Sequence, residues 1–209
     1  MTNSTEIAKF NMIEQQIRPW EVLDSQVLAV INEIDRQDFV QESFKGLAYA
    51  DCRVPVCAGS AMLPPTIEGR MLQSLLIDAD DMILEVGSGS GYISACLAKL
   101  GKQVLSLDNN HEALNLARKN IADYGLTNIE FEDVNAFDCK YDQAFDVIAV
   151  GGSVGKVPEN LKQALSIGGR MFIIVGQSPV MQALLITRAA SNEWTTQSLF
   201  ETDLPVLTN

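Results

Sequence analysis

The stretch Met82-Ile83-Leu84-Glu85-Val86-Gly87-Ser88-Gly89-Ser90-Gly91-Tyr92 constrains the fold more than any other, because an apolar run ending in an acid passes through three alternate glycines into a helical pattern. The run reads as a buried strand, and the glycines as a turn that takes φ > 0 and lets a ligand approach the main chain. Dinucleotide-binding turns space their small residues as G-x-G-x-x-G/A, the last one letting the helix pack closely on the strand. Tyr92 stands at that last position and is too large for the role. The glycines fall instead as G-x-G-x-G, with Glu85 two residues before the first.

From residue 82 onward, strand and helix patterns alternate, which argues for a mostly parallel sheet with helices on both faces. Strands are expected over Met82–Val86, Val104–Leu107, around Ile129 and Phe131, over Phe145–Val150 and over Met171–Val175. Helices are expected from about Tyr92 to Leu100, from the cap Asn110 through Leu114, Ala117, Ile121 and Tyr124, and from Pro158 to Gly168-Gly169. Ala183–Ala189 and Thr195–Phe200, either side of Ser191-Asn192-Glu193, read as a terminal hairpin. The predicted class is α/β, a Rossmann-like doubly wound, mostly parallel seven-stranded sheet with an N-terminal helical extension. Residues 1–77 would carry the helices and a substrate loop, and 78–209 the core of a single domain.

In the N-terminal part, Ile7, Phe10, Ile13 and Ile17 recur at helical spacing, and Asp24 can cap a second helix with Val27, Leu28, Ile31 and Ile34 as its stripe. Packing on the main domain and a lid over the substrate are both open readings of these stripes. Ala48 to Pro65, punctuated by Pro55, Gly59, Pro64 and Pro65, reads as a long loop, and such loops are more often functional than idle. Pro65 suits the first turn of the next helix, whose buried face is Ile67, Met71, Leu72, Leu75 and Leu76.

Charge and cysteine usage exclude several functions. A formal net charge of −12 repels polyanions, and no basic cluster compensates, so nucleic acid is not expected as a partner. Four cysteines without C-x-x-C pairing and one histidine, His111, indicate neither a zinc site nor a disulfide framework. No apolar run approaches membrane-spanning length and the first residues are polar, which predicts a cytoplasmic protein without membrane partners.

Ligands of such sheets bind at the carboxyl ends of the strands, near the point where strand order reverses. The glycine pattern with its preceding acid resembles the first motif of S-adenosylmethionine (SAM) methyltransferases, and the expected cofactor is SAM. Gly87, Ser88, Gly89 and Gly91 would lie against its amino-acid end, with Glu85 near its amino group. Asp108, ending the second strand, can accept from a ribose diol, with Asn109 beside it; a helix-entry cap is the alternative for Asp108. Asn135 and Ala136, read as the end of the third strand, are the candidates at the adenine, with Asp133 as rival. The Asn/Asp-Pro-Pro-Tyr of amine methyltransferases is absent after the fourth strand, where Gly151-Gly152-Ser153 stands, which disfavours a nitrogen acceptor.

The chain as a whole resembles the protein-L-isoaspartate O-methyltransferase family. The resemblance runs through Met12-Ile13-Glu14-Gln15-Gln16-Ile17, Val27-Leu28, Asp38-Phe39-Val40, Ala48-Tyr49-Ala50-Asp51, Val54-Pro55-Val56, Leu84 to Tyr92, Asn128-Ile129, Phe145-Asp146-Val147-Ile148 and Gly168-Gly169-Arg170. It implies methylation of the α-carboxylate of isoaspartyl residues in damaged proteins or peptides, followed by collapse of the ester to a succinimide. Where that family usually carries Gly-Gln-Thr-Ile-Ser, this chain reads Gly59-Ser60-Ala61-Met62-Leu63, so Leu63 stands at the serine position. Ser60, with Asp51, is then the candidate at the acceptor, and Val56, Met62 and Leu63 form the substrate loop. A small-molecule acceptor and a non-catalytic SAM-fold protein are the alternatives.

Overall fold

The computed structural model describes residues 2–57 and 59–207. An N-terminal helix, α1 (Thr2–Asn11), runs into a π-helical turn over Met12–Ile17 and a 3-10 turn over Arg18–Trp20. The wider π turn changes the phase of the apolar stripe: Met12, Ile13 and Ile17 are buried, whereas Ile7 and Phe10 are exposed. One face shared by all four apolar residues is therefore not what forms. Helix α2 (Ser25–Glu33) is capped by Asp24, whose Oδ1 accepts from the N–H groups of Gln26 and Val27, both at 2.9 Å. Its stripe Val27, Leu28, Ile31 and Ile34 is buried, each residue worth roughly 1.5–3 kcal/mol.

The expected long loop contains a small antiparallel hairpin, β1 (Val54–Cys57) and β2 (Ser60–Met62), with Val54 opposite Met62 and Pro55 opposite Ala61. Helix α3 (Pro65–Ser74) follows, with Pro65 in its first turn. Ile67, Met71, Leu72 and Leu75 are buried as the pattern requires, but Leu76 turns out to φ 45° and is exposed, because the helix has already ended.

The main sheet is built from β3 (Met82–Val86), β4 (Gln103–Asp108), β5 (Ile129–Asp133), β6 (Phe145–Val154), β7 (Leu165–Gln177), β8 (Val180–Ala190) and β9 (Glu193–Thr202). Between them lie α4 (Tyr92–Leu100), α5 (His111–Asp123) and α6 (Glu159–Ala164). The spatial order is β5-β4-β3-β6-β7-β8-β9. Pairings from β5 across to β7 are parallel, and the last two strands are antiparallel. Period-two alternation divides the interior. Ile83, Val147, Phe172 and Ile174 face the side of α2, α3 and α4, while Leu84, Val86, Ile148, Val150 and Ile173 face the side of α6.

Helix α6 stops at Ala164, short of the expected Gly168-Gly169. Leu165 already pairs with Phe145, and Gly169 sits in the bulge where an added Cβ would lie 2.9 Å from the Ser166 carbonyl. Arg188, 2% exposed, donates to the Gln163 and Leu165 carbonyls at the end of that helix. Arg170, beside the same glycines, reaches Asp81 at 2.6 Å and the Leu75 carbonyl at 2.5 Å, tying α3 to the sheet. Among the described residues no helix is long and apolar enough to cross a membrane, and no His/Cys/Asp/Glu group could hold a metal ion.

Candidate active site

Strand order reverses between β4 and β6, on either side of β3, and a cavity of about 670 Å³ opens at the carboxyl ends of these three strands. Val86, Gly87 and Gly89 form its floor, with Leu107 to Asn110 on one side and Gly151-Gly152 on the other. Val134 to Phe137 close one end, the β1–β2 hairpin a second wall, and Pro205, Val206 and Leu207 a third.

The three glycines take left-handed φ of 90°, 51° and 85° for different reasons. At Gly89 an added Cβ would meet only Ser60 Oγ, at 3.9 Å, so its main chain faces open space of the kind a ligand needs. At Gly91 the same atom would lie 3.1 Å from Ala117 Cα, so this glycine lets α4 pack against α5; it does not line the cavity. Of the three glycines, only Gly87 and Gly89 are in the cavity lining. Gly91→Ala should cost about 1–3 kcal/mol in a thermal melt through overpacking and strain. Gly89→Ala should instead be read mainly as weaker SAM binding by calorimetry, beyond about 1–2 kcal/mol of left-handed strain. Equal binding losses in both would contradict the division.

Asp108 organises the loop from beneath. Its Oδ2 accepts from Ser88 Oγ at 2.9 Å and from the Gly89 N–H at 3.2 Å, and its Oδ1 accepts from the Asn110 N–H at 2.8 Å. The cap of α5 is Asn110, whose Oδ1 accepts from Glu112 and Ala113 N–H groups, so Asp108 is not that cap. Asp108 lines the cavity and keeps acceptor capacity on Oδ1. Asn109 lines it as well; Ser88 is buried as part of the brace.

Glu85 is 1% exposed and is not part of the cavity wall. Its Oε2 accepts from Ser94 Oγ of α4 and Ser106 Oγ of β4, both at 2.5 Å, while Oε1 is buried without a hydrogen-bond partner among the described residues. Burial pushes its carboxyl up to about 7, opposed by the two serine hydroxyls and assisted by Asp108. A carboxyl raised in the folded state contributes stability that is complete below its unfolded value of about 4.5 and is lost as pH rises through about 7. The gap corresponds to on the order of 3 kcal/mol. Thermal melts across that window should therefore show Glu85→Gln gaining on the wild type as pH rises; a constant difference would contradict it.

At the cavity's far end, β5 stops at Asp133, so Asn135 and Ala136 belong to the turn beyond the strand and not to its end. Asn135 Oδ1 accepts from the Phe137 N–H at 3.0 Å, and both Asn135 and Ala136 line the cavity. Asp133 does not line it; its carboxylate meets His111 Nδ1 at 2.9 Å, a mutual contact at the exposed surface. Asn135 is in the cavity lining and Asp133 is not.

The hairpin wall carries Arg53, Pro55, Gly59, Ser60, Ala61 and Leu63. Val56 and Met62 are buried behind it and do not reach the cavity. Asp51 does not line the cavity; its Oδ1 accepts from Thr66 Oγ1 at 2.8 Å, in the first turn of α3. The wall is fixed from behind by Arg36, 1% exposed, which bonds Glu68 at 2.9 Å and donates to the Ala48 and Leu63 carbonyls at 2.6 Å each. Among the described residues, the N-terminal helices contribute none to the cavity lining.

Sequence reasoning missed Arg53 and the C-terminal segment. Ser153 Oγ donates to the Leu204 and Pro205 carbonyls at 3.0 Å, and the Leu207 N–H to the Ser153 carbonyl at 2.8 Å. That seats Leu207 over Gly152, where an added Cβ would lie 2.6 Å from the leucine side chain.

The family model for protein-L-isoaspartate(D-aspartate) O-methyltransferase (PCMT) matches residues 8–204. The protein-L-isoaspartate O-methyltransferase of Koribacter versatilis is 39% identical over 85% of this chain and 80% of its own, and that of Roseobacter denitrificans 36% over 81% and 80%. The crystal structure of a putative family member from Plasmodium falciparum in complex with S-adenosyl-L-homocysteine shares the fold, with a TM-score of 0.82 and 21% identity over 96% of this chain and 97% of that one.

Proposed function

For a chain that belongs to the protein-L-isoaspartate O-methyltransferase family, and is thus a SAM-dependent methyltransferase, we propose that the acceptor is the α-carboxylate of an isoaspartyl residue in a protein or peptide. The observation that carries this reading is one cavity walled by the glycine loop and Asp108 on one side and by the Arg53–Leu63 hairpin on the other. SAM, when bound, supplies an activated methyl group. Asp108 and the Gly89 main chain would hold its ribose and amino-acid portions, and Asn135 and Ala136 its adenine end. Glu85, buried off the cavity wall with its Oε1 unpartnered among the described residues, would reach the ammonium through water rather than directly.

The protein's own contribution to the reaction is mainly alignment. A carboxylate is anionic at neutral pH and needs no general base, so holding it in line with the methyl group provides most of the acceleration. Leu63 and Ala61 give that side an apolar surface, and Ser60 Oγ, across from Gly89, is the hydroxyl on the hairpin wall able to donate to the acceptor. A small-molecule acceptor has less support, because, of Leu63, Met62 and the N-terminal helices, the groups that would line an apolar pocket for it, only Leu63 lines the cavity among the described residues. Timed mass spectra of an isoaspartyl peptide incubated with enzyme and SAM test the reading: a methyl ester should appear first and decay to the succinimide. A stable ester, or none, would contradict it.

A further inference from the structure

The cavity wall holds one positively charged side chain among the described residues, Arg53, and it has no hydrogen-bond or ion-pair partner among them. The other arginines are engaged: Arg18 with Glu14, Arg36 with Glu68, Arg70 with Glu21, Arg170 with Asp81, and Arg118 and Arg188 with carbonyls. An arginine at the surface is ordinarily a solvated charge. Its position on the hairpin sets this one apart.

Alternation buries Val54 and Val56 on β1 and Met62 on β2, leaving Arg53, Pro55, Ala61 and Leu63 on the face that lines the cavity. Extending the register of Val54 opposite Met62 by one step puts Arg53 across from Leu63, which carries no donor. Arg36 holds the Leu63 carbonyl from the buried side, so the hairpin presents Arg53 on a fixed support. Asp108, the carboxylate of the wall, stands on the β4 side with both oxygens engaged by the glycine loop and Asn110.

We propose that the Arg53 guanidinium binds the carboxylate of the methyl acceptor and is the residue that selects an anionic acceptor. The inference rests on the carboxylate-methylation reading above. A guanidinium fork matches the two oxygens of a carboxylate, and such bidentate charge-assisted bonds fix orientation as well as affinity. A net charge of −12 on the chain does not by itself bar an anionic acceptor. Screening over about 8 Å at physiological salt leaves the nearest charge, not the distant net charge, to decide what the acceptor meets in the cavity.

Arg53 is exposed at the rim, so its replacement should leave the core and the thermal melt unchanged. Arg53→Gln should lower kcat/KM for an isoaspartyl peptide by roughly ten- to a hundredfold, mostly through KM, while SAM affinity by calorimetry serves as the control. Arg53→Lys should recover part of the loss, keeping the charge without the fork. Competition with the same peptide bearing a carboxamide in place of the acceptor carboxylate adds a readout that a structural role would not move. The wild type should bind the carboxylate form more tightly, and Arg53→Gln should bind both alike. Wild-type turnover matched by Arg53→Gln would overturn the assignment of Arg53 and leave carboxylate methylation standing; no wild-type turnover of the isoaspartyl peptide would overturn both.

Discussion

Asp108→Ala should weaken SAM binding by roughly ten- to a hundredfold and lower the melting temperature as well. The carboxylate accepts from Ser88 Oγ, the Gly89 N–H and the Asn110 N–H, so removing it leaves the donors that shape the glycine loop without their common acceptor. Any ribose bond to the remaining capacity of Oδ1 is lost too, and a hydrogen bond to a charged group is worth about 1.5–3 kcal/mol. Asp108→Asn separates the two contributions. Its amide can keep one of the loop bonds but loses the charge, so it should fall between the wild type and Asp108→Ala in both assays. Calorimetric titration beside a thermal melt checks this, and normal affinity in a destabilised Asp108→Ala protein would reduce Asp108 to a brace.

A still larger effect on stability is expected from Arg36→Met. Glu68 is 3% exposed, and its partner is this guanidinium at 2.9 Å. Burial holds the Glu68 carboxyl above its ordinary range even with Arg36 opposing it. Without Arg36 the buried carboxylate is uncompensated, a change that typically costs about 3–5 kcal/mol, and the Ala48 and Leu63 carbonyls lose their donor. The single variant should be least impaired in acid, where Glu68 takes a proton, and worsen as pH rises. Arg36→Met combined with Glu68→Leu should recover most of the loss, since an apolar pair of similar volume often matches a buried ion pair. Denaturant melts of the three proteins decide the matter. A single variant as stable as the wild type would show that the pair does not hold the hairpin.

The alternation from Met82 to Val175 was legible because each strand and helix buries its own period, and neighbouring strands read the same way in isolation. The Asn110 and Asp24 caps were legible for the same reason: a cap bonds N–H groups two and three residues on. What required the structure involves partners distant in sequence. Asp51 bonds the Thr66 hydroxyl, 15 residues on, at the start of α3. Gly91 packs against Ala117 on the next helix. The hairpin at Val54 was hidden because Pro55 and Gly59 read as breakers, yet Pro55 faces the cavity side of an isolated two-stranded ribbon, where proline is tolerated. The exposed Ile7 and Phe10 follow from the π turn at Met12–Ile17, a change of winding that spacing alone does not announce. Leu207 has no periodic context, and its place over Gly152 depends on hydrogen bonds to Ser153 some 50 residues earlier.

The proposed function requires one cavity to join a SAM site to a site for an isoaspartyl carboxylate. The most direct measurement is transfer of labelled methyl from SAM to an isoaspartyl peptide, run beside a peptide of identical sequence with a normal aspartyl residue. Label should enter the isoaspartyl peptide at a rate that saturates with peptide, and should not enter its twin. Equal labelling of the two peptides, or labelling of neither by a protein that binds SAM, would contradict the claim.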